Sequence, residues 1–187
     1  MPRSGAGQPG GEDDLLGSQL RPGGGGFDEL AEALTTYVSR SAEKLRRQGL
    51  TAAAIAVLVS TNRHKPEEPQ YHATRHVRLT IATADTARLI RAALCGLREI
   101  YRPGFRYKKT GILLLDLAPA GSVQGSLFLR PDDHRRVELM GAIDAINRRY
   151  GRDRVRFAGT GLDRGWKLKA EFHSPRYTTR WDELLRV

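Results

Sequence analysis

Cysteine is almost absent from this chain: Cys95 is the single one among 187 residues, which excludes an internal disulfide. No apolar stretch approaches the ~18 residues that a membrane helix requires, and the first residues show no apolar core of a secretory signal. The five histidines are scattered without ligand spacing, so a zinc cluster of cysteine and histidine is also excluded. We therefore expect a cytoplasmic protein without a membrane segment, with Cys95 as a buried thiol on the packed side of a helix.

Motifs of the common catalytic classes are missing as well. The sequence contains no GxSxG, GxxxxGK[ST] or HExxH pattern and no pair of carboxylates in a strand–turn setting. Gly159-Thr160-Gly161 resembles a phosphate-binding loop only weakly, because a further glycine and a helix start are missing, and we interpret it as a turn. Asp132 and Asp133 stand at the start of a predicted helix, where acids interact with the helix dipole more often than with a metal. We expect no catalytic residue, metal or cofactor in this chain.

Acidic residues are fewer than basic ones: the chain has 21 aspartates and glutamates and 31 lysines and arginines, which gives a formal net charge of +10. Residues 1–26 hold nine of the 20 glycines and a charge of −1, so residues 27–187 carry +11. A glycine-rich segment with so few apolar residues cannot bury enough surface to fold, and we interpret 1–26 as a flexible leader. The basic excess belongs to the folded part and indicates an anionic partner.

Hydrophobic periodicity predicts alternating helices and strands after this leader. Helical spacing of apolar residues occurs over 28–48, 84–101 and 132–150. Continuous or alternating apolar runs predict strands at 52–61, 74–82 and 105–117. Residues 18–22 are a poor candidate for one more strand, which would complete the order β-α-β-β-α-β. That order predicts an α+β fold in which one sheet carries two helices on one face and leaves the other face open.

The last third of the chain is predicted to be a linker followed by a small helical and irregular extension. Residues 119–131 are rich in proline, glycine and serine and form the linker. The helix over 132–150 is expected to pack through an apolar stripe that consists of Leu139, Met140, Ile143, Ile146 and Tyr150. Short β-like pieces are expected around 155–157 and 166–168.

Basic side chains are expected to cluster around the open face of the sheet. We place Arg78, Arg106 and Lys108 on that face. Arg63 and Lys65 are expected in the adjoining loop, and Lys109 beside them. Such side chains neutralise phosphates whatever the base sequence. The alternative is a solvated edge strand on which lysines block aggregation. The high net charge favours phosphate contact.

The linker contains the pentapeptide Gln124-Gly125-Ser126-Leu127-Phe128. Two large apolar residues in a segment rich in proline and glycine must be buried somewhere. They either pack on the chain's own third helix or enter the groove of a partner that binds an extended peptide. Spacing alone does not separate these two interpretations.

Three stretches form a recognisable pattern: YVSRSAEKL at 37–45 with the loop EEPQY at 67–71, YRPGFRYKKTGILLLDL at 101–117, and FAGTGLDRGWKLKAEFHSPRYTTRWDELLRV at 157–187. Over about residues 28–187 the chain resembles the C-terminal region of UmuC-type Y-family translesion DNA polymerases, the catalytic subunits of DNA polymerase V. The terminal SPRYTTRWDELLRV carries most of this resemblance.

The resemblance implies a little-finger domain that holds DNA through a basic sheet face, with Arg63, Lys65, Arg78, Arg106, Lys108 and Lys109 as candidates. It implies that Gln124, Ser126, Leu127 and Phe128 dock on the β sliding clamp. The family also works with a RecA filament and a UmuD-type subunit. The palm, which would bind Mg²⁺ through its carboxylates, and the fingers and thumb would precede residue 28, so this chain alone is not expected to be an enzyme.

We therefore expect the DNA-binding and clamp-docking part of an error-prone translesion polymerase of SOS repair. Its segments are a leader (1–26), a little finger (27–118), a linker (119–131) and an extension (132–187). One alternative is a free-standing regulator that competes for the clamp. Another is an RRM-like module that stacks single-stranded RNA on sheet aromatics, although the outward positions of the 74–82 strand are His, Arg and Thr.

Overall fold

The computed structural model describes residues 16–19, 26–122 and 134–161. Four antiparallel strands form one sheet in the order β1-β4-β2-β3: β1 (Leu16–Gln19), β2 (Leu50–Thr61), β3 (His72–Thr83) and β4 (Tyr107–Pro119). The helices are α1 (Phe27–Arg47), α2 (Thr86–Ile100) and α3 (His134–Tyr150). The predicted α+β fold with the order β-α-β-β-α-β is confirmed.

The edge strand β1 lies within the segment that the sequence predicts to be a leader. It pairs antiparallel with β4, with Leu16 opposite Ile112 and Gln19 opposite Lys109. The first strand therefore begins two residues before the predicted 18–22 and ends at Gln19. A strand of four residues is too short to show the alternation by which strands are found in a sequence.

The central strand β2 carries the core. Ile55, Val57 and Val59 alternate along it and are fully buried. They belong to the same hydrophobic cluster as Leu34 of α1 and Leu97 of α2, so both helices cover this face of the sheet. The intervening residues of β2 project to the opposite face. We call that opposite face the open face, because α1 and α2 both pack on the other side.

The end of α1 and the start of α2 both carry the signals that the sequence shows for helix termini. Gly49 follows α1 with φ +67°, a conformation that favours glycine. Lys44, Arg46 and Arg47 in the last turn interact favourably with the negative end of the helix dipole. Asp85 caps the start of α2 by accepting a hydrogen bond of 2.9 Å from the backbone N–H of Arg88. The two helices are thus fixed at the ends that meet β2 and β3.

Helix α3 packs through a face that is rotated from the predicted one and shares only Met140 and Ile143 with it. Met140 and Asp144 are buried, and the cavity that separates α3 from α1 is small. Asp144 is buried because both of its carboxylate oxygens accept hydrogen bonds of 2.7 Å from the Arg46 guanidinium. Three members of the predicted apolar stripe are more than a third exposed: Leu139, Ile146 and Tyr150. An ion pair, rather than that stripe, therefore orients the helix.

Two further expectations are wrong. Cys95 is exposed, because α2 packs through Leu89, Ala93 and Leu97, and position 95 lies off that stripe. Residues 155–157 form no strand; the side chain of Asn147 instead holds both backbone polar groups of Val155 at 2.8–2.9 Å. The segment 159–161 belongs to a 3-10 turn, Ala158–Thr160, and its end, as expected. None of the helices within the described ranges is long and apolar enough to span a membrane.

Candidate nucleic-acid interface

The open face carries basic, small and apolar side chains. Residues that are directly opposite each other on neighbouring strands project to the same face. The pairs on the open face include Arg78 with Ala54, His76 with Ala56, His72 with Ser60, and Lys109 with Ser60. On the β4 side, Leu113 lies opposite Ala56 and Leu115 lies opposite Ala54, so this part of the face is apolar. The longer polar side chains stand along β3 and at Lys109.

Five of the six predicted DNA-binding residues gather at one end of the sheet: Arg63, Lys65, Arg106, Lys108 and Lys109. We call these five residues the basic end. The first two belong to the loop between β2 and β3, and the others precede or open β4. Arg78 stands apart, opposite Ala54, about 20 Å along β2 from the pair formed by Ser60 and Lys109. The candidates therefore run along the sheet rather than forming one compact patch.

The predicted placement of Arg106 and Lys108 on the open face is corrected by the structure. Arg106 lies in the loop before β4. The register shifts next to it, since Thr61 pairs with Tyr107 but Ser60 pairs with Lys109, and Lys108 becomes the extra residue of a bulge. Lys109 takes the position on the open face. A bulge interrupts the alternation on which the prediction relied.

Glu68 binds two side chains of the basic end. Its Oε1 accepts from Lys65 Nζ at 3.0 Å and from Arg106 Nη1 at 3.3 Å. The hydrogen bond from Lys65, supported by the positive charges of Lys65 and Arg106, lowers the pKa of the Glu68 carboxyl below its usual value. The carboxylate is therefore ionised at neutral pH and pairs with both cations.

Gln70 holds the loop that carries Arg63 and Lys65. Its Nε2, which carries two N–H donors, lies 2.8–3.2 Å from three backbone carbonyl oxygens, those of Asn62, Lys65 and Glu68. Its Oε1 accepts from Thr61 Oγ1 at 2.9 Å, which anchors the loop to the end of β2. Sequence reasoning did not single out either Glu68 or Gln70. The signal that contained them is the EEPQY stretch at 67–71.

Replacing Glu68 by glutamine is expected to tighten DNA binding about three-fold, because Lys65 and Arg106 no longer pair with a carboxylate and one local negative charge is lost. Stability should be almost unchanged, since these pairs lie at the surface. Fluorescence anisotropy of a labelled duplex at fixed salt measures the change in affinity. Glu67→Gln is the matched control, and equal tightening by both variants would show only an effect of net charge.

The aromatic residues among these basic ones point into the fold. Tyr71 packs on Phe105 with ring centroids 5.0 Å apart, and Tyr101 packs on Tyr107 at 5.6 Å. The Tyr107 hydroxyl donates to the carbonyl of Arg102 and accepts from its N–H, closing the turn before β4. Along β2, β3 and β4, the cross-strand pairs on the open face contain no phenylalanine, tyrosine or tryptophan, and the rings there are those of His72 and His76. The large aromatic rings on which an RRM-like module stacks bases are therefore missing from these three strands.

The predicted clamp-binding residues lie outside the described residues: Gln124, Ser126, Leu127 and Phe128. In the part of the chain that the structure covers, no group of three or more His, Cys, Asp or Glu residues could hold a metal ion.

Two family models match this chain. The C-terminal domain model of the impB/mucB/samB family matches residues 21–127, and a domain of unknown function, DUF4113, matches residues 138–187. Because the first match covers more than half of the chain, this chain belongs to the impB/mucB/samB family.

Within that family the chain is a C-terminal region of the UmuC type, as the sequence predicts. Protein UmuC of Salmonella typhimurium is 37% identical over 165 residues, 86% of this chain and 38% of that protein. Protein SamB of the same organism is 37% identical over 159 residues, with 84% and 37% covered. Protein MucB of Escherichia coli is 34% identical over 154 residues, with 82% and 36% covered. The chain spans less than two fifths of the length of these relatives.

Proposed function

We propose that this chain is the DNA-binding part of a UmuC-type error-prone translesion polymerase, and that it contacts the phosphate backbone through the open face and the basic end. The observation that carries the proposal is the placement of five basic residues at one end of the sheet and a sixth, Arg78, on its open face. The UmuC-type relatives supply the biological context.

The chemistry of these residues suits contact with the DNA backbone rather than base recognition. Lysine and arginine neutralise phosphates and release counterions, which gives affinity without sequence preference. The distance of about 20 Å between Arg78 and Lys109 along the sheet corresponds to roughly six base pairs at about 3.4 Å per step. Non-specific binding of this kind has dissociation constants on the order of 10⁻⁴ to 10⁻⁶ M and weakens steeply with salt.

The test is a titration of duplex DNA at several salt concentrations. Replacing Arg78 and Lys109 together by serine should weaken binding about ten-fold and reduce the slope of log K against log salt by about two, since each phosphate contact contributes about one. The control replaces Arg91 and Arg98, two exposed arginines of α2, by serine. An unchanged slope in the first variant, or an equal change in the control, would overturn the assignment of the open face.

We also propose that Gln124, Ser126, Leu127 and Phe128 dock on the β sliding clamp. Polymerase activity, with its Mg²⁺ site, is assigned to the remainder of the longer protein that the relatives represent. A RecA filament and a UmuD-type subunit are proposed as further partners, without residues assigned to either. The spacing of a glutamine followed by a leucine–phenylalanine pair in the linker supports the clamp contact.

A further inference from the structure

A groove of about 930 Å³ lies between α3 and the ends of α1, β2 and β3, away from the basic end. Leu50, Ala82, Val137 and Met140 give it apolar walls. The groove exists because α3 is held by two ion pairs rather than by close apolar packing. Arg46 binds Asp144 at 2.7 Å, and Arg136 binds Asp85 at 3.1 Å. Its volume is at the upper end of what ligand pockets enclose.

Three arginines on this groove are available to a ligand. Arg46 and Arg136 are already paired with carboxylates. The remaining arginines of the lining form no ion pair with any residue that the structure describes: Arg47, Arg148 and Arg152. Glu43 is the one acid of the lining outside those two ion pairs. The groove therefore presents an excess of positive charge around apolar walls.

This combination distinguishes between two kinds of anionic partner. Single-stranded nucleic acid binds through stacking on aromatic rings together with basic residues, and no aromatic residue lines the groove. Leucine, valine and methionine walls instead suit aliphatic side chains, and an amphipathic helix binds by placing such side chains in a groove of this kind. The arginines then face the polar side of the bound helix.

We propose that this groove is a docking site for a partner's acidic amphipathic peptide, with leucines in the groove and carboxylates on Arg47, Arg148 and Arg152. The site begins at Leu50 and Ala82, at the opposite end of β2 and β3 from the loop that carries Arg63 and Lys65. A peptide bound here leaves the open face accessible to DNA. The proposal is therefore independent of the proposed DNA contact.

The charge requirement is tested with the full chain and a labelled synthetic peptide that carries leucines at helical spacing and aspartates and glutamates between them. Arg148→Glu should weaken peptide binding at least about ten-fold in a fluorescence anisotropy titration, equivalent to about 1.4 kcal/mol. Arg149→Glu is the matched control, because Arg149 is the next residue of α3 and does not line the groove. It should change the affinity less than about two-fold.

The shape requirement is tested by filling the groove. Gly141 lines it, and a Cβ at this position meets no atom within 4 Å, so Gly141→Phe should fold and abolish peptide binding. Ala142→Phe, outside the lining, should leave binding intact. The proposal would be overturned if target and control variants had equal effects, or if the peptide failed to bind the unmodified chain at low salt. Displacement of the peptide by an oligothymidylate but not by a duplex would also overturn it.

Discussion

Arg46→Ala is expected to lower the free energy of unfolding by about 3 kcal/mol, because it leaves the buried carboxylate of Asp144 without its partner. Arg46 binds both oxygens of Asp144 and also donates to the carbonyl of Ala84 at 2.7 Å and the hydroxyl of Thr86 at 2.9 Å. One side chain therefore joins α1 to α3 and to the start of α2. Its loss should release α3 from α1.

Urea denaturation measures this loss of stability, and hydrogen exchange of the α3 amides reports whether the helix has separated. Arg47→Ala is the matched control, because Arg47 is exposed and forms no ion pair within the described ranges. The double variant Arg46→Met with Asp144→Leu should recover most of the stability, since two apolar side chains replace a buried ion pair without leaving an unpaired charge. Equal stability of the Arg46 and Arg47 variants would show that the ion pair does not hold α3.

The sheet and its two helices could be predicted because each depends on local patterns. The apolar period of α1 and the glycine after it define that helix within one or two residues. The alternation of Val77 and Leu79 with His76 and Arg78 correctly indicates which side of β3 faces the helices. These patterns are strong because the same residues set both the local conformation and the packing.

The details of the interface depend on contacts between distant segments, which periodicity does not encode. The bulge at Lys108 arises from the pairing of β4 with the end of β2, and it moves Lys109 rather than Lys108 to the open face. Glu68 meets Arg106 across 38 positions of sequence. The buried face of α3 depends on Arg46, 98 positions before Asp144. The sequence alone predicts that such charged residues are exposed to solvent. In the fold they form the contacts between Glu68 and Arg106 and between Arg46 and Asp144.

Replacing Leu127 and Phe128 together by alanine is expected to weaken binding to the β clamp at least about 100-fold and to abolish its capture in a pull-down. Large apolar anchors in a docking peptide carry most of the binding energy, and a hundred-fold loss corresponds to about 2.8 kcal/mol for the pair. Leu129→Ala is the matched control, because it removes the next apolar residue and leaves the motif from Gln124 to Phe128 complete.

The same double variant separates docking from packing within the chain. If both anchors bind the clamp, the variant should retain the thermal unfolding midpoint and the DNA affinity of the unmodified chain, because the buried cluster of the described residues is unchanged. If they belong to the chain's own core, two large-to-small substitutions should cost several kcal/mol and lower the midpoint markedly. A lowered midpoint, or equal loss of capture with Leu129→Ala, would overturn the clamp contact. Loss of capture at an unchanged midpoint would place the anchors on the partner.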